Sequence, residues 1–190
     1  MKRVFIIHGW GGSPEEGWFP WLKKELDRRG FLVHIPNMPN PEEPEIATWV
    51  SHLKTICPNP DKNTLFVGHS IGCQTILRYL ESLPKNTKIG GAIFVAGWFN
   101  LMNQSTEEQI IAKPWLETPF NFNKIRSHYT KFVAIFSDND EIVPLTDQTE
   151  FKKYLEAKII IEHGKGHFSG SDKVMNLPII LKEILDISNL

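Results

Sequence analysis

The chain has 190 residues, 41% hydrophobic and 23% charged, with 21 Lys and Arg against 22 Asp and Glu for a net charge of −1. The length favours one domain with a core of its own over two small ones, and the composition excludes a disordered or fibrous chain. Balanced, scattered charge gives no electrostatic footprint for nucleic acid, so none is expected as a partner.

Short, continuous apolar runs recur along the chain. They are Val4–Ile7, Phe31–Ile35, Leu65–Val67, Ala92–Val95, Phe132–Phe136 and Ile159–Ile161. Continuous rather than alternating runs describe strands covered on both faces, as in a parallel sheet. Helical periodicity fills the gaps. Trp18, Trp21, Leu22 and Leu26 share one face, and Ile46, Trp49, Val50, Leu53 and Ile56 another. Cys73, Ile76, Leu77, Leu80 and Leu83 form a third stripe, and Phe151, Tyr154 and Leu155 a fourth. Pro178 opens a last helix carrying Ile180, Leu181, Ile184 and Leu185. The alternation predicts a three-layer α/β/α fold with a mostly parallel sheet. Ligands of such folds bind at the carboxyl ends of the strands, so the residues just after each strand are where chemistry is expected.

Gly68-His69-Ser70-Ile71-Gly72 follows one strand and opens a helix. This is G-x-S-x-G in the strand–turn–helix context in which a tight turn lifts the serine hydroxyl above the sheet. A plain helix cap would use the same letters. A serine needs a base to become a nucleophile, and the base needs a carboxylate to fix its tautomer. His167, in Gly164-Lys165-Gly166-His167-Phe168, lies past the last strand; His163 is its local competitor, expected to be half-buried structure. Asp140 is chosen over Asp138 from Ser137-Asp138-Asn139-Asp140-Glu141-Ile142-Val143-Pro144, because it begins D-x-x-V-P. Turn chemistry alone would also explain either aspartate. His8-Gly9-Trp10-Gly11-Gly12-Ser13 ends the first strand and offers a backbone N–H for an oxyanion. The amides of Trp10 and Ile71 are the expected pair. Pro14 stands where a dinucleotide-binding turn needs its third glycine.

These four motifs, at 8–13, 68–72, 137–144 and 164–168, together with Pro114–Pro119, resemble the α/β-hydrolase superfamily. Within it they are most similar to the small, compact serine hydrolases of the retinoblastoma-binding protein nine type and their bacterial relatives. The likeness spans essentially the whole chain. It implies a six-stranded sheet in the order 2-1-3-4-5-6, lacking the first two strands and the large cap of bigger relatives. It implies Ser70 as nucleophile, Asp140 as orienting acid and His167 as base. It also implies cofactor-free hydrolysis of small carboxylic esters or amides, as in a carboxylesterase.

The segment from Trp98 to Lys131 is too long for a plain loop. A lid-like insertion at about 99–128, in a single domain over 1–190, is expected there. Trp98, Phe99, Met102 and Trp115 are expected to line a substrate pocket, with Trp18 on the opposite wall. Two other readings stand beside hydrolysis: acyl transfer to an acceptor other than water, and a protein-binding module on the same fold. No metal site is expected, because His163 and His167 lie in a glycine-rich loop rather than on an H-E-x-x-H helix. Cys57 and Cys73 are too few for a disulfide scaffold and fit a reducing compartment. Val4–Ile7 is shorter than a secretory core, and no run approaches the ~20 apolar residues of a membrane span. A cytoplasmic monomer is therefore expected.

Overall fold

The computed structural model describes residues 1–129 and 131–189. Six strands form one sheet: β1 (Arg3–Ile7), β2 (Leu32–His34), β3 (Thr64–His69), β4 (Gly91–Val95), β5 (Val133–Ser137) and β6 (Lys158–Glu162). Their order is β2-β1-β3-β4-β5-β6, and every neighbouring pair is parallel. This is the α/β-hydrolase order expected above. The helices are α1 (Phe19–Asp27), α2 (Ile46–Ile56), α3 (Ile71–Ser82), α4 (Thr106–Glu117), α5 (Phe122–Arg126), α6 (Asp147–Leu155) and α7 (Pro178–Ser188).

Successive strand residues point to opposite faces, and each face has its own core. Phe5, Ile7, Phe66, Ala92, Phe94, Ala134 and Phe136 face a cluster built with α2, α3 and α6. Val4, Ile6, Leu65, Val67, Ile93, Val95, Val133 and Ile135 face a second cluster built with α1 and α7. The central strands β3, β4 and β5 therefore read as continuous apolar runs because both faces are dry, while the edge strands β2 and β6 are partly exposed. Fully burying each large side chain contributes about 1.5–3 kcal/mol.

The chain runs from β1 to β2 on one side and then crosses to β3 on the other. That reversal opens a crevice at the carboxyl ends of β1 and β3. Between β4 and β5 lie α4 and α5. A capping box starts α4: Ser105 Oγ accepts from the Glu108 amide at 3.2 Å, and the Glu108 carboxylate accepts from the Ser105 amide at 2.7 Å. Its far end is tied to α3 by Arg78. That guanidinium donates to the carbonyls of Trp115 and Thr118 and lies 4.2 Å over the Phe120 ring. Among the described residues no helix is long and apolar enough to cross a membrane.

Candidate active site

Ser70 joins β3 to α3 with φ 51° and ψ −121°. A non-glycine residue in that region costs on the order of 1–3 kcal/mol and persists only when its surroundings impose it. Two backbone bonds of 2.9 Å impose it here: Ser70 N–H donates to Val95 O, and Cys73 N–H donates to Ser70 O. Close packing does the rest. A Cβ on Gly68 would sit 2.7 Å from the Cys73 nitrogen, and one on Gly72 would collide with the Ile7 carbonyl oxygen.

The segment after β5 is laced to the segment after β6. Ser137 Oγ accepts from the Lys165 amide at 3.0 Å and donates to Asn139 Oδ1. Asn139 Oδ1 also accepts from the Gly166 amide at 2.9 Å. Asp138 takes the Gly164 amide and the His163 ring. Asp140 completes the series: its Oδ2 accepts from His167 Nδ1 at 2.9 Å, and its Oδ1 accepts from the amides of Ile142 and Val143. With both oxygens held, Asp140 presents one fixed acceptor to the imidazole. Nδ1 then carries the ring proton, and Nε2 keeps its lone pair.

His167 and Ser70 line one cleft of about 530 Å³ with Gly9, Trp10 and His69. Among the described residues, no hydrogen bond closes between the Ser70 hydroxyl and the His167 ring. Such contacts are often loose before substrate binds. Trp10 is on the cleft wall, its indole donating to Glu42 O at 2.8 Å. Ile71 is fully buried behind Ser70 and is the first residue of α3, so its N–H has no acceptor within the helix.

The expected pocket residues divide. Trp98 and Met102 line the cleft, joined by Leu101 and Ile142. Trp18, Phe99 and Trp115 do not. The Trp18 indole is buried in the core between sheet and α1 and donates to Phe168 O at 3.1 Å. Trp115 packs edge-on to Trp49 and donates to Pro44 O at 2.8 Å. Phe99 belongs to an aromatic group with Phe120, Phe122, Phe151 and Tyr154. An indole N–H needs an acceptor when buried, and backbone carbonyls away from the cleft supply it. His163 also departs from expectation: it is exposed, not half-buried.

Several residues that hold the site in place escaped the sequence reading. Ser137 and Asn139 lace the two loops. Asp172 Oδ2 accepts from the amides of His167 and Ser169, both at 3.0 Å. Asp147, fully buried, accepts from the amides of Phe99 and Asn100, and burial pushes its carboxyl up. The run S-D-N-D against H-G-K-G-H was the available signal for the lacing, since each of the four polar residues of the first segment bonds to the second. Cys73 is buried with its thiol donating to Val95 O, and burial pushes that thiol up, away from nucleophilic use. Five carboxylates border the cleft, from Glu16, Glu42, Glu108, Glu141 and Asp172, and among the described residues no Lys or Arg does.

The chain is similar to known proteins along nearly its whole length. The model of the serine hydrolase family matches residues 4–185. YdeN of Bacillus subtilis (strain 168) is 34% identical over 180 residues, covering 94% of this chain and 92% of that one. Serine hydrolase RBBP9 of Rattus norvegicus is 25% identical over 173 residues, covering 90% and 89%. The crystal structure of the B. subtilis ydeN gene product superposes with a TM-score of 0.91 at 32% identity, over 100% of both chains. Est1E from Butyrivibrio proteoclasticus shares the fold, with a TM-score of 0.72 at 13% identity over 98% of this chain and 86% of that one. On the family match and the 34% identity together, this chain belongs to the serine hydrolase family.

Proposed function

We propose that the protein hydrolyses small carboxylic esters, and amides by the same chemistry, through an acyl-enzyme on Ser70. The observation that carries this reading is the 2.9 Å bond from His167 to Asp140, at a cleft that also holds a serine in strained geometry. Ser70 Oγ attacks the carbonyl carbon while His167 Nε2 takes its proton. Asp140 keeps Nδ1–H in place and stabilises the imidazolium. The oxyanion is held by the amides of Ile71, at the positive end of α3, and Trp10. The tetrahedral intermediate expels the alcohol, which leaves with the proton from His167. Water then attacks the acyl-enzyme with His167 again as base, releasing the acid and restoring Ser70. The scheme requires no cofactor.

The cleft pairs an apolar wall of Trp98, Leu101, Met102 and Ile142 with a rim of carboxylates. That combination favours an apolar group on a neutral or cationic substrate and disfavours an anionic one. We read 99–128 as a lid-like insertion in a single domain over 1–190, since Leu101, Met102, Gln104 and Glu108 from it border the cleft. A protein-binding module would present exposed aromatics from that segment. Trp115 is instead buried, and Phe99, Phe120 and Phe122 pack on the core, so these aromatics do not favour that reading.

The test is labelling by a fluorophosphonate probe, followed by mass spectrometry of the modified peptide. An adduct on Ser70 that drops in His167→Ala is expected. Ester turnover that survives Ser70→Ala unchanged overturns the reading.

A further inference from the structure

We infer that His69, the second residue of the G-x-S-x-G turn, is a positioning residue that sets where His167 stands relative to Ser70. The inference rests on the proposed roles of those two residues and adds a third to them. His69 Nε2 lies 2.7 Å from the backbone oxygen of His167. A carbonyl only accepts, so Nε2 carries the proton and donates. This bond spans 98 residues of chain, and among the described residues it is the one hydrogen bond between the serine turn and the segment carrying the base. Because His69 directly precedes Ser70, the bond links nucleophile and base through a single residue.

The ring has little freedom. It is 4% exposed and packs edge-on against Trp18 and Phe19 at centroid distances of 6.2 and 6.0 Å. The His167 ring lies 5.1 Å away. On the other side, a Cβ on Gly9 would sit 3.1 Å from His69 Nδ1, so the oxyanion loop closes over the ring. Burial, with a smaller contribution from His167, lowers the His69 pKa to about 3, so the ring stays neutral and keeps one donor. The next carbonyl along the base segment is held similarly. Phe168, itself at φ 58°, accepts from the Trp18 indole at 3.1 Å. Two buried ring N–H groups therefore grip the consecutive carbonyls of His167 and Phe168. A misplacement of about 1 Å in such a constellation typically costs on the order of 100-fold in rate.

The experiment compares His69→Phe, His69→Gln and Trp18→Phe. His69→Phe keeps a ring and deletes the donor; His69→Gln restores an N–H donor. Expected for His69→Phe is a kcat lower by about 10- to 100-fold, KM within about twofold, and slower fluorophosphonate labelling of Ser70. His69→Gln should recover much of the lost kcat. Trp18→Phe should lower kcat less, since one grip remains, and it serves as the deciding variant if the His69 variants do not fold. Wild-type kcat in folded His69→Phe overturns the inference, or in folded Trp18→Phe where the His69 variants do not fold; so does an effect confined to KM, or a folded His69→Gln variant that recovers nothing. A readout independent of turnover is the His167 Nδ1 proton resonance in the Ser70→Ala background. It should broaden or shift when His69→Phe is added, and an unchanged resonance counts against positioning. If Ser70→Ala itself leaves turnover intact, the reaction assignment fails, while this resonance still tests the tether.

Discussion

Two His–Asp pairs bridge the same two segments and behave as opposites. His167 and Asp140 meet at 2.9 Å, with side chains 13% and 3% exposed. His163 and Asp138 meet at 2.6 Å, with side chains 85% and 40% exposed. The shorter bond belongs to the pair that faces water. Hydrogen-bond length therefore does not distinguish a candidate catalytic base from a surface contact. Surroundings do: Asp140 is fixed by two further amides, and His167 borders the cleft that holds Ser70. Exposed pairs of the second kind contribute little to stability and are screened by salt.

The largest expected effect separates the two carboxylates. Asp140→Asn should lower kcat by roughly 10³- to 10⁴-fold, because an amide does not hold the required tautomer or stabilise an imidazolium. Asp138→Asn should leave turnover within a few-fold of wild type. Steady-state ester hydrolysis by the two variants checks this, and the reverse ranking would move the candidate base to His163.

Acid titration sharpens the same contrast. His69 is buried with a pKa lowered to about 3, chiefly by burial, so unfolding takes up a proton below about pH 6.5. A folded pKa below the unfolded one gives stability that is present above about pH 6.5 and lost as pH falls toward 3, at up to about 1.4 kcal/mol per pH unit. His8, also lowered by burial, adds in the same sense. His163 has the opposite sign. Its hydrogen bond to Asp138 raises it, and its own bond lowers Asp138. That pair is fullest between the two titrations and is lost as pH rises through the raised His163 value or falls through the lowered Asp138 value. Urea unfolding across pH should give a shallower acid loss in His69→Gln and hardly any change in His163→Gln. An acid slope unaltered by His69→Gln would show that the ring is not held neutral.

The fold was readable because the central strands are covered on both faces. Their runs of Val, Ile, Phe and Leu then had no polar interruption. At the edge, where β2 is partly exposed, His34 breaks the run, and even so each strand could be placed to within a residue or two. The site was readable in part for a related reason: carboxyl-end loops break those runs with Gly, Ser, Asp and His. The pocket was less legible. Trp18, Trp98 and Trp115 are the same residue type, each in a segment that follows a strand, yet of the three only Trp98 borders the cleft. Which way an indole points depends on where a carbonyl waits for its N–H, and Phe168 O and Pro44 O are set by tertiary structure. His69 was hidden for the same reason. Its partner lies 98 residues away, and nothing local marks the bond.

The buried site also has a cost that the exposed pair lacks. Ser70 is held at φ 51°, where glycine is at ease and other residues are not. Ser70→Gly should therefore raise stability over Ser70→Ala by about 1–3 kcal/mol, while both abolish probe labelling. Thermal or urea unfolding of the two variants measures it. Equal stability would mean that the serine turn relaxes in solution.

The smallest effect concerns what the cleft admits. Glu16, Glu42, Glu108, Glu141 and Asp172 border it, and among the described residues none of them forms an ion pair. Field lines from one sign of charge focus in such a cleft and raise the local concentration of the opposite sign. For matched esters differing only in charge, kcat/KM should fall from cationic to neutral to anionic, by roughly tenfold overall at low salt. The spread should narrow toward physiological ionic strength, where the screening length is about 8 Å. Glu42→Gln, beside Gly11 at the cleft mouth, should narrow it further without changing kcat for the neutral ester. A spread that persists at high salt would point to contact recognition rather than to the field of the rim.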